Sequence, residues 1–243
     1  MTGEHVRVAL ALGLLLALLM LRFQSESFGA AEYDEPGNRY HRGFWTRLSW
    51  YVMGLALVLG IYNIHPEPHD VLWMVVGNHT DVFTFGLVLA AIGAAQAAVF
   101  AWYRYGCLRL PAPSAYPGAA LNSIVTAVID EAAFRGAIQG MLLAIGLPDL
   151  PAILIQTLLY ALATRTGGPG RHRYMLVLSL GIGLACGWAT VRTGGIGAAI
   201  LAHTLTSFAL FVFTGHAGQV LAWGREPDEI EALHKPEGWR IAK

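Results

Sequence analysis

The chain has 243 residues, of which 55% are hydrophobic and only 13% are Asp, Glu, Lys or Arg; soluble domains carry about a quarter charged residues. It has sixteen basic residues, sixteen acidic residues and two cysteines, and its mean hydropathy is +0.50. These values exclude a disordered chain, a disulfide scaffold, an ordinary soluble enzyme and any nucleic-acid partner held by bulk positive charge.

A polytopic membrane protein remains. Seven apolar stretches approach the ~20 residues that a bilayer-spanning helix needs: roughly residues 6–23, 46–64, 82–103, 118–146, 151–165, 175–192 and 195–214. None alternates with period two, as a membrane β-strand would. Lipid offers the backbone no hydrogen-bond partner, so each stretch must be a helix. The expected fold is an all-α membrane protein, a compact bundle of about seven transmembrane helices. Residues 1–117 carry helices 1–3, residues 118–214 form a core of helices 4–7, and residues 215–243 are a tail.

Span 1 precedes Phe28-Gly29-Ala30-Ala31, small residues of the kind found at a signal-peptide cleavage site. The basic residues argue for retention. Thirteen of sixteen fall on one side of the seven spans, among them Arg22, Arg39, Arg42 and Arg47 after span 1 and four in the tail. Only Arg7 and Arg192 fall on the other side, and Arg135 lies inside span 4. The bias predicts an N-terminus outside and a C-terminus in the cytoplasm; cleavage of span 1 would invert it. The connection at 24–45 is then cytoplasmic, with a turn at Asp34-Glu35-Pro36-Gly37-Asn38. The next connection, about 64–81, is rich in Pro and His. Its Asn78-His79-Thr80 matches a glycosylation sequon, a pattern common by chance.

Span 4 holds Asp130, Glu131 and Arg135. Unpaired near mid-bilayer, three charges would cost roughly 8–10 kcal/mol on insertion scales. Glu131 and Arg135 are four apart and meet on one helix face. Asp130 is turned about 100° from Glu131 and has no local partner. Gly136 and Gly140 in the same span, and Gly183 and Gly187 in span 6, are small-residue pairs that let helices approach closely. Span 5 ends with Thr164 one turn after Tyr160. The run Gly194-Gly195-Ile196-Gly197 predicts a tight turn into span 7, where His203 and Ser207 share a face.

The plain reading of these polar residues is a structural knot of interhelical hydrogen bonds joining spans 4, 5 and 7. The functional reading is a site, because ionisable groups within a membrane cluster where substrates, ions or protons are handled. Zinc would need three or four ligands. With one deep histidine, no His-Glu-x-x-His, and Cys107 and Cys186 away from the cluster, no metal and no cofactor is expected. A serine hydrolase lacks its nucleophile-elbow sequence.

Asp130-Glu131-Ala132-Ala133-Phe134-Arg135-Gly136 resembles the Glu-Glu-x-x-Phe-Arg-Gly motif of the CAAX-protease and bacteriocin-processing membrane family. Gly187-Trp188, then Arg192-Thr193-Gly194-Gly195 and Ile200-Leu201-Ala202-His203, are similar to that family's last block. The resemblance covers about residues 118–214. It implies glutamate-dependent intramembrane proteolysis, in which a carboxylate and a motif-two histidine activate water and a His-x-x-x-Asn pair stabilises the oxyanion. By position the activating carboxylate falls on Asp130, the second glutamate on Glu131, the arginine on Arg135 and the motif-three histidine on His203. Thr164 stands in place of the motif-two histidine, four residues after Tyr160 where the family has Phe. Ser207 stands where Asn is usual.

The resulting expectation is a metal-independent intramembrane endopeptidase, with Asp130 or Glu131 as the base. Its partners would be a membrane-anchored peptide or protein substrate and the lipid bilayer, with no nucleic acid, and its location the bacterial inner (plasma) membrane. The alternative is a catalytically impaired relative that binds or assembles membrane proteins, since threonine cannot act as a base near neutral pH. A proton-coupled transporter is a third class, disfavoured by the absence of inverted repeats.

Overall fold

The computed structural model describes residues 3–28, 30, 44–67, 69–108, 110–111, 113–166 and 173–215, all of them in helices, turns or irregular segments. The helices are α1 (Gly3–Phe23), α2 (Phe44–Ile64), α3 (His79–Tyr105), α4 (Tyr116–Glu131), α5 (Gln139–Ala144), α6 (Asp149–Thr166), α7 (Arg173–Thr193) and α8 (Gly197–Thr214). A π-helical stretch, Ala132–Ile138, joins α4 to α5 without a break. Counting α4–π–α5 as one, the described residues form seven rods, in the order and close to the bounds expected. Five helices are long and apolar enough to cross a membrane, and α6 contributes a shorter apolar stretch, Asp149–Thr164. The protein is an all-α membrane protein. The turn at residues 34–38, the arginines at 39, 42 and 171, and the tail from residue 216 lie outside the described residues.

Local chemistry sets several helix ends. Asn78 is the N-cap of α3, its Oδ1 accepting from the Thr80 N–H at 3.1 Å, so the sequon asparagine has a structural role. Gly106 (φ 66°) and Gly215 (φ 75°) end α3 and α8 in the left-handed conformation that glycine adopts without strain. Arg7 of α1 donates to the Ile64 carbonyl at 2.9 Å and the His65 carbonyl at 3.3 Å. It thereby covers two orphan acceptors at the end of α2.

The charged rod sits at the centre. Ile129, Ala132, Ala133, Phe134, Ala137 and Ile138 are buried in one cluster with residues of α1, α2 and α6, including Leu18, Trp50, Ile61 and Tyr160. Its middle corrects one expectation. The regular helix expected over 118–146 is interrupted by the π stretch at the Glu131–Arg135 segment. A π turn holds more residues than an α turn, which shifts the faces shown by the two halves of the rod; such bulges concentrate at functional sites.

A second correction concerns glycines. Gly183 and Gly187 do bring α7 onto α6, where a Cβ would meet Thr157 and Gln156. Gly136 and Gly140, however, admit no helix. They receive the α2–α3 connection: a Cβ on Gly140 would lie 2.6 Å from the Leu72 carbonyl, and one on Gly136 2.8 Å from the Met74 side chain. Leu72 is fully buried there, and Trp73 takes the left-handed φ of 57°. The same connection pairs with the glycine turn, as Ile196 N–H donates to Val75 O (2.9 Å), Gly197 N–H to Val76 O (3.1 Å) and Asn78 N–H to Thr193 O (2.9 Å). The predicted tight turn at residues 194–197 is therefore present, and it is also a docking surface for residues 75–78.

Candidate active site

Asn122, Thr126 and Asp130 follow at intervals of four along α4, so they share one face. That face, the end of α1, the last turns of α6, the start of α7 and the second half of α8 enclose a cavity of about 70 Å³, room for a few water molecules at roughly 10–15 Å³ each. Four of the six residues singled out from the sequence line it: Asp130, Thr164, His203 and Ser207. Glu131 and Arg135 stand behind the wall and are fully buried.

Asp130 does have a partner. The Arg22 Nε–H donates to Asp130 Oδ1 at 2.7 Å, and Arg22 Nη1 donates to Ser25 Oγ at 3.1 Å. Arg22 belongs to the last turn of α1 and lines the cavity, so it is not one of the arginines of the connection with which the charge count groups it. The sequence did carry half of this signal. Span 4 holds two carboxylates and one guanidinium, and a buried charge needs a counter-charge. Nothing local said which distant cation supplies it.

Glu131 is held twice through one oxygen. His203 Nδ1 lies 2.7 Å from Glu131 Oε1, and Arg135 Nη1 lies 3.0 Å from the same atom. Oε2 has no hydrogen-bond partner among the described residues. The Arg135 guanidinium lies 4.3 Å from the Tyr160 ring centroid and reaches the Ile182 carbonyl at 3.4 Å. Tyr160 closes the circuit, its hydroxyl 3.3 Å from His203 Nε2. Phe134 meets the Tyr160 ring edge-on at 5.3 Å. Carboxylate, imidazole, phenol and guanidinium from three rods thus fix one another.

Thr164 Oγ1 is buried and without a hydrogen-bond partner among the described residues. Ser207 is half-buried on the cavity wall. No group of three or more His, Cys, Asp or Glu able to hold a metal occurs among the described residues.

Comparison with known families bears on this arrangement. Residues 112–209 match the family model described as Type II CAAX prenyl endopeptidase Rce1-like. This segment is an Rce1-like domain. No curated protein and no solved structure matches the chain. The family is one of endopeptidases, and in this chain its segment is set in an integral membrane protein. The Rce1-like domain runs from the approach to α4 to a point in α8 just past Ser207, and so contains every residue singled out from the sequence. Arg22 comes from outside it, on α1. The domain therefore has its cavity-wall carboxylate neutralised by a helix that the family match does not include.

Proposed function

We propose that the protein is an intramembrane endopeptidase that hydrolyses a peptide bond in a membrane-anchored peptide or protein, with Asp130 as the general base. The observation that carries this reading is the position of Asp130 on the wall of a cavity that His203 and Ser207 also line, with Arg22 2.7 Å away. Glu131 is the weaker candidate for the base, because it is fully buried and its Oε1 is shared by His203 and Arg135.

In this mechanism Asp130 takes a proton from a water molecule as the water oxygen adds to the scissile carbonyl, and returns it to the amide nitrogen as the tetrahedral intermediate collapses and the C–N bond breaks. Arg22 orients the Asp130 carboxylate. Aspartate is one methylene shorter than glutamate, and a 1 Å misplacement can cost about a hundredfold in rate; the guanidinium reaching in from α1 is what sets the carboxylate's position. Ser207 donates a hydrogen bond to the tetrahedral oxyanion, and the Thr164 hydroxyl holds the water in line. The Glu131–Arg135 pair fixes the His203 ring. The N-terminus lies outside and the C-terminus in the cytoplasm, and the membrane is a bacterial inner (plasma) membrane. The substrate class that the family description suggests is a CAAX-type prenylated C-terminus.

A second reading has one observation in its favour. The position matching the motif-two histidine carries Thr164, whose hydroxyl has no hydrogen-bond partner among the described residues and is no base. On that reading the cavity binds a peptide segment without cleaving it.

The test is proteolysis of a panel of membrane-anchored peptides, prenylated and unprenylated, by purified protein in lipid. Wild type is compared with Asp130→Asn, Glu131→Gln, His203→Ala and Thr164→His. Cleavage that falls about 10²–10⁴-fold in Asp130→Asn supports Asp130 as the base. Cleavage by Thr164→His alone supports the binding relative.

A further inference from the structure

The endopeptidase reading gives the oxyanion one donor, Ser207, and the tautomer of His203 decides where a second one comes from. A carboxylate only accepts hydrogen bonds, so the 2.7 Å contact with Glu131 Oε1 places a proton on His203 Nδ1. In the neutral ring Nε2 then carries a lone pair and no hydrogen. It cannot donate to an oxyanion. It accepts instead, and the donor beside it is the Tyr160 hydroxyl at 3.3 Å.

We infer that Tyr160 is a catalytic residue of this site, its phenol O–H being a second donor to the oxyanion beside Ser207, with His203 as the residue that positions it. The inference rests on the endopeptidase reading. Tyr160 lines the same cavity as Asp130, Thr164 and Ser207, the space that a scissile carbonyl would enter. Its ring is immobilised on two sides, by the Arg135 guanidinium 4.3 Å from its centroid and by the edge of Phe134 at 5.3 Å. A donor held in place before reaction costs no reorganisation when charge appears. In the resting site the O–H points to Nε2. When the tetrahedral oxyanion forms, the O–H rotates about its C–O bond toward that stronger acceptor, because hydrogen bonds to charged oxygens are roughly twice as strong as neutral ones. No proton changes owner in this step. α6 then offers the reaction two polar groups one turn apart, Tyr160 to the oxyanion and Thr164 to the water.

Two measurements test the inference. The first is imidazole ¹⁵N NMR of the whole protein in lipid. Wild type should show a protonated Nδ1 and an unprotonated, hydrogen-bonded Nε2 for His203, and Tyr160→Phe should shift Nε2 toward a free lone pair. A proton on Nε2 in wild type overturns the inference, because the histidine would then be a donor itself. The second uses whichever peptide of the panel wild type cleaves best. Tyr160→Phe should lower kcat about 10²–10³-fold, the usual effect of removing one oxyanion donor, with KM within twofold. Adding His203→Ala to Tyr160→Phe should lower kcat little further, since both changes remove one device. Full activity in Tyr160→Phe together with loss of activity in Asp130→Asn overturns the inference and leaves the endopeptidase reading standing. Absence of cleavage by wild type and all variants overturns both.

Discussion

At the scale of single residues, the Arg22–Asp130 pair decides most. Both side chains are nearly shut off from solvent, and taking one partner away leaves an uncompensated charge inside the bundle. Removing one member of a buried pair typically destabilises by about 3–5 kcal/mol. Arg22→Gln should therefore lower the melting midpoint in lipid markedly, and Arg22→Gln with Asp130→Asn should regain most of the loss, since two neutral amides need no counter-charge. A double variant as unstable as Arg22→Gln would mean that Arg22 acts by packing. A second residue lies beyond the spans. Burial pushes the His65 imidazole below its usual range, with the Arg7 guanidinium adding to the effect and Glu67 opposing it. The Glu67 N–H donates to its Nδ1 at 3.2 Å, a bond that only the unprotonated nitrogen can accept. The unfolded chain then binds the proton more readily than the folded one, so stability rises with pH across the gap between the two pKa values. The contribution of His65 is complete above the ordinary imidazole pKa of about 6.5 and is lost as pH falls through the lower folded value. The difference in melting midpoint between wild type and His65→Gln should shrink on acidification from pH 8 to pH 5.

At the scale of elements, the π stretch and the connection packed on it form one unit. Gly140 faces a backbone carbonyl of Leu72, and Gly136 faces the flexible side chain of Met74. Overpacking costs about 1–3 kcal/mol where the neighbour cannot yield, and backbone yields less readily than the end of a methionine. Gly140→Ala should thus destabilise more than Gly136→Ala, as thermal unfolding in one detergent would show; equal effects would mean that the connection is not seated as described. The sequence marked both positions as close approaches, since glycine pairs in a membrane helix rarely serve otherwise. It did not tell what approaches, because a missing side chain records space and not the occupant. The π register was likewise illegible. In a stretch buried all round, as Ala132–Ile138 is, no exposed face leaves a periodic pattern from which a shift of one residue could be detected.

At the scale of the whole molecule, the cavity lies toward one end of the bundle. It is built from the last turn of α1, the end of α6 and the beginning of α7, together with one face of α4 and part of α8. On the proposed orientation, with the C-terminus in the cytoplasm, that end of the bundle is the cytoplasmic one. A green fluorescent protein fused after Lys243 should therefore fluoresce in whole bacterial cells, and an alkaline phosphatase fused there should be inactive; the opposite pair of results would reverse the orientation and turn the cavity outward.

The sequence by itself determined the seven rods, their order, the carboxylate–arginine spacing on the fourth and the meeting of spans 4, 5 and 7. It could do so because lipid forces every spanning segment to satisfy its own backbone, and because residues four apart on a helix must share a face. Tertiary structure alone decided which distant groups pair with the two carboxylates and which residues touch the cavity. Arg22 reaches Asp130 across 108 positions of chain, and Tyr160 meets a histidine 43 residues away. Contacts of that kind depend on how helices are rotated against one another, which arises from summed packing over many side chains and leaves no mark at the two residues that finally meet.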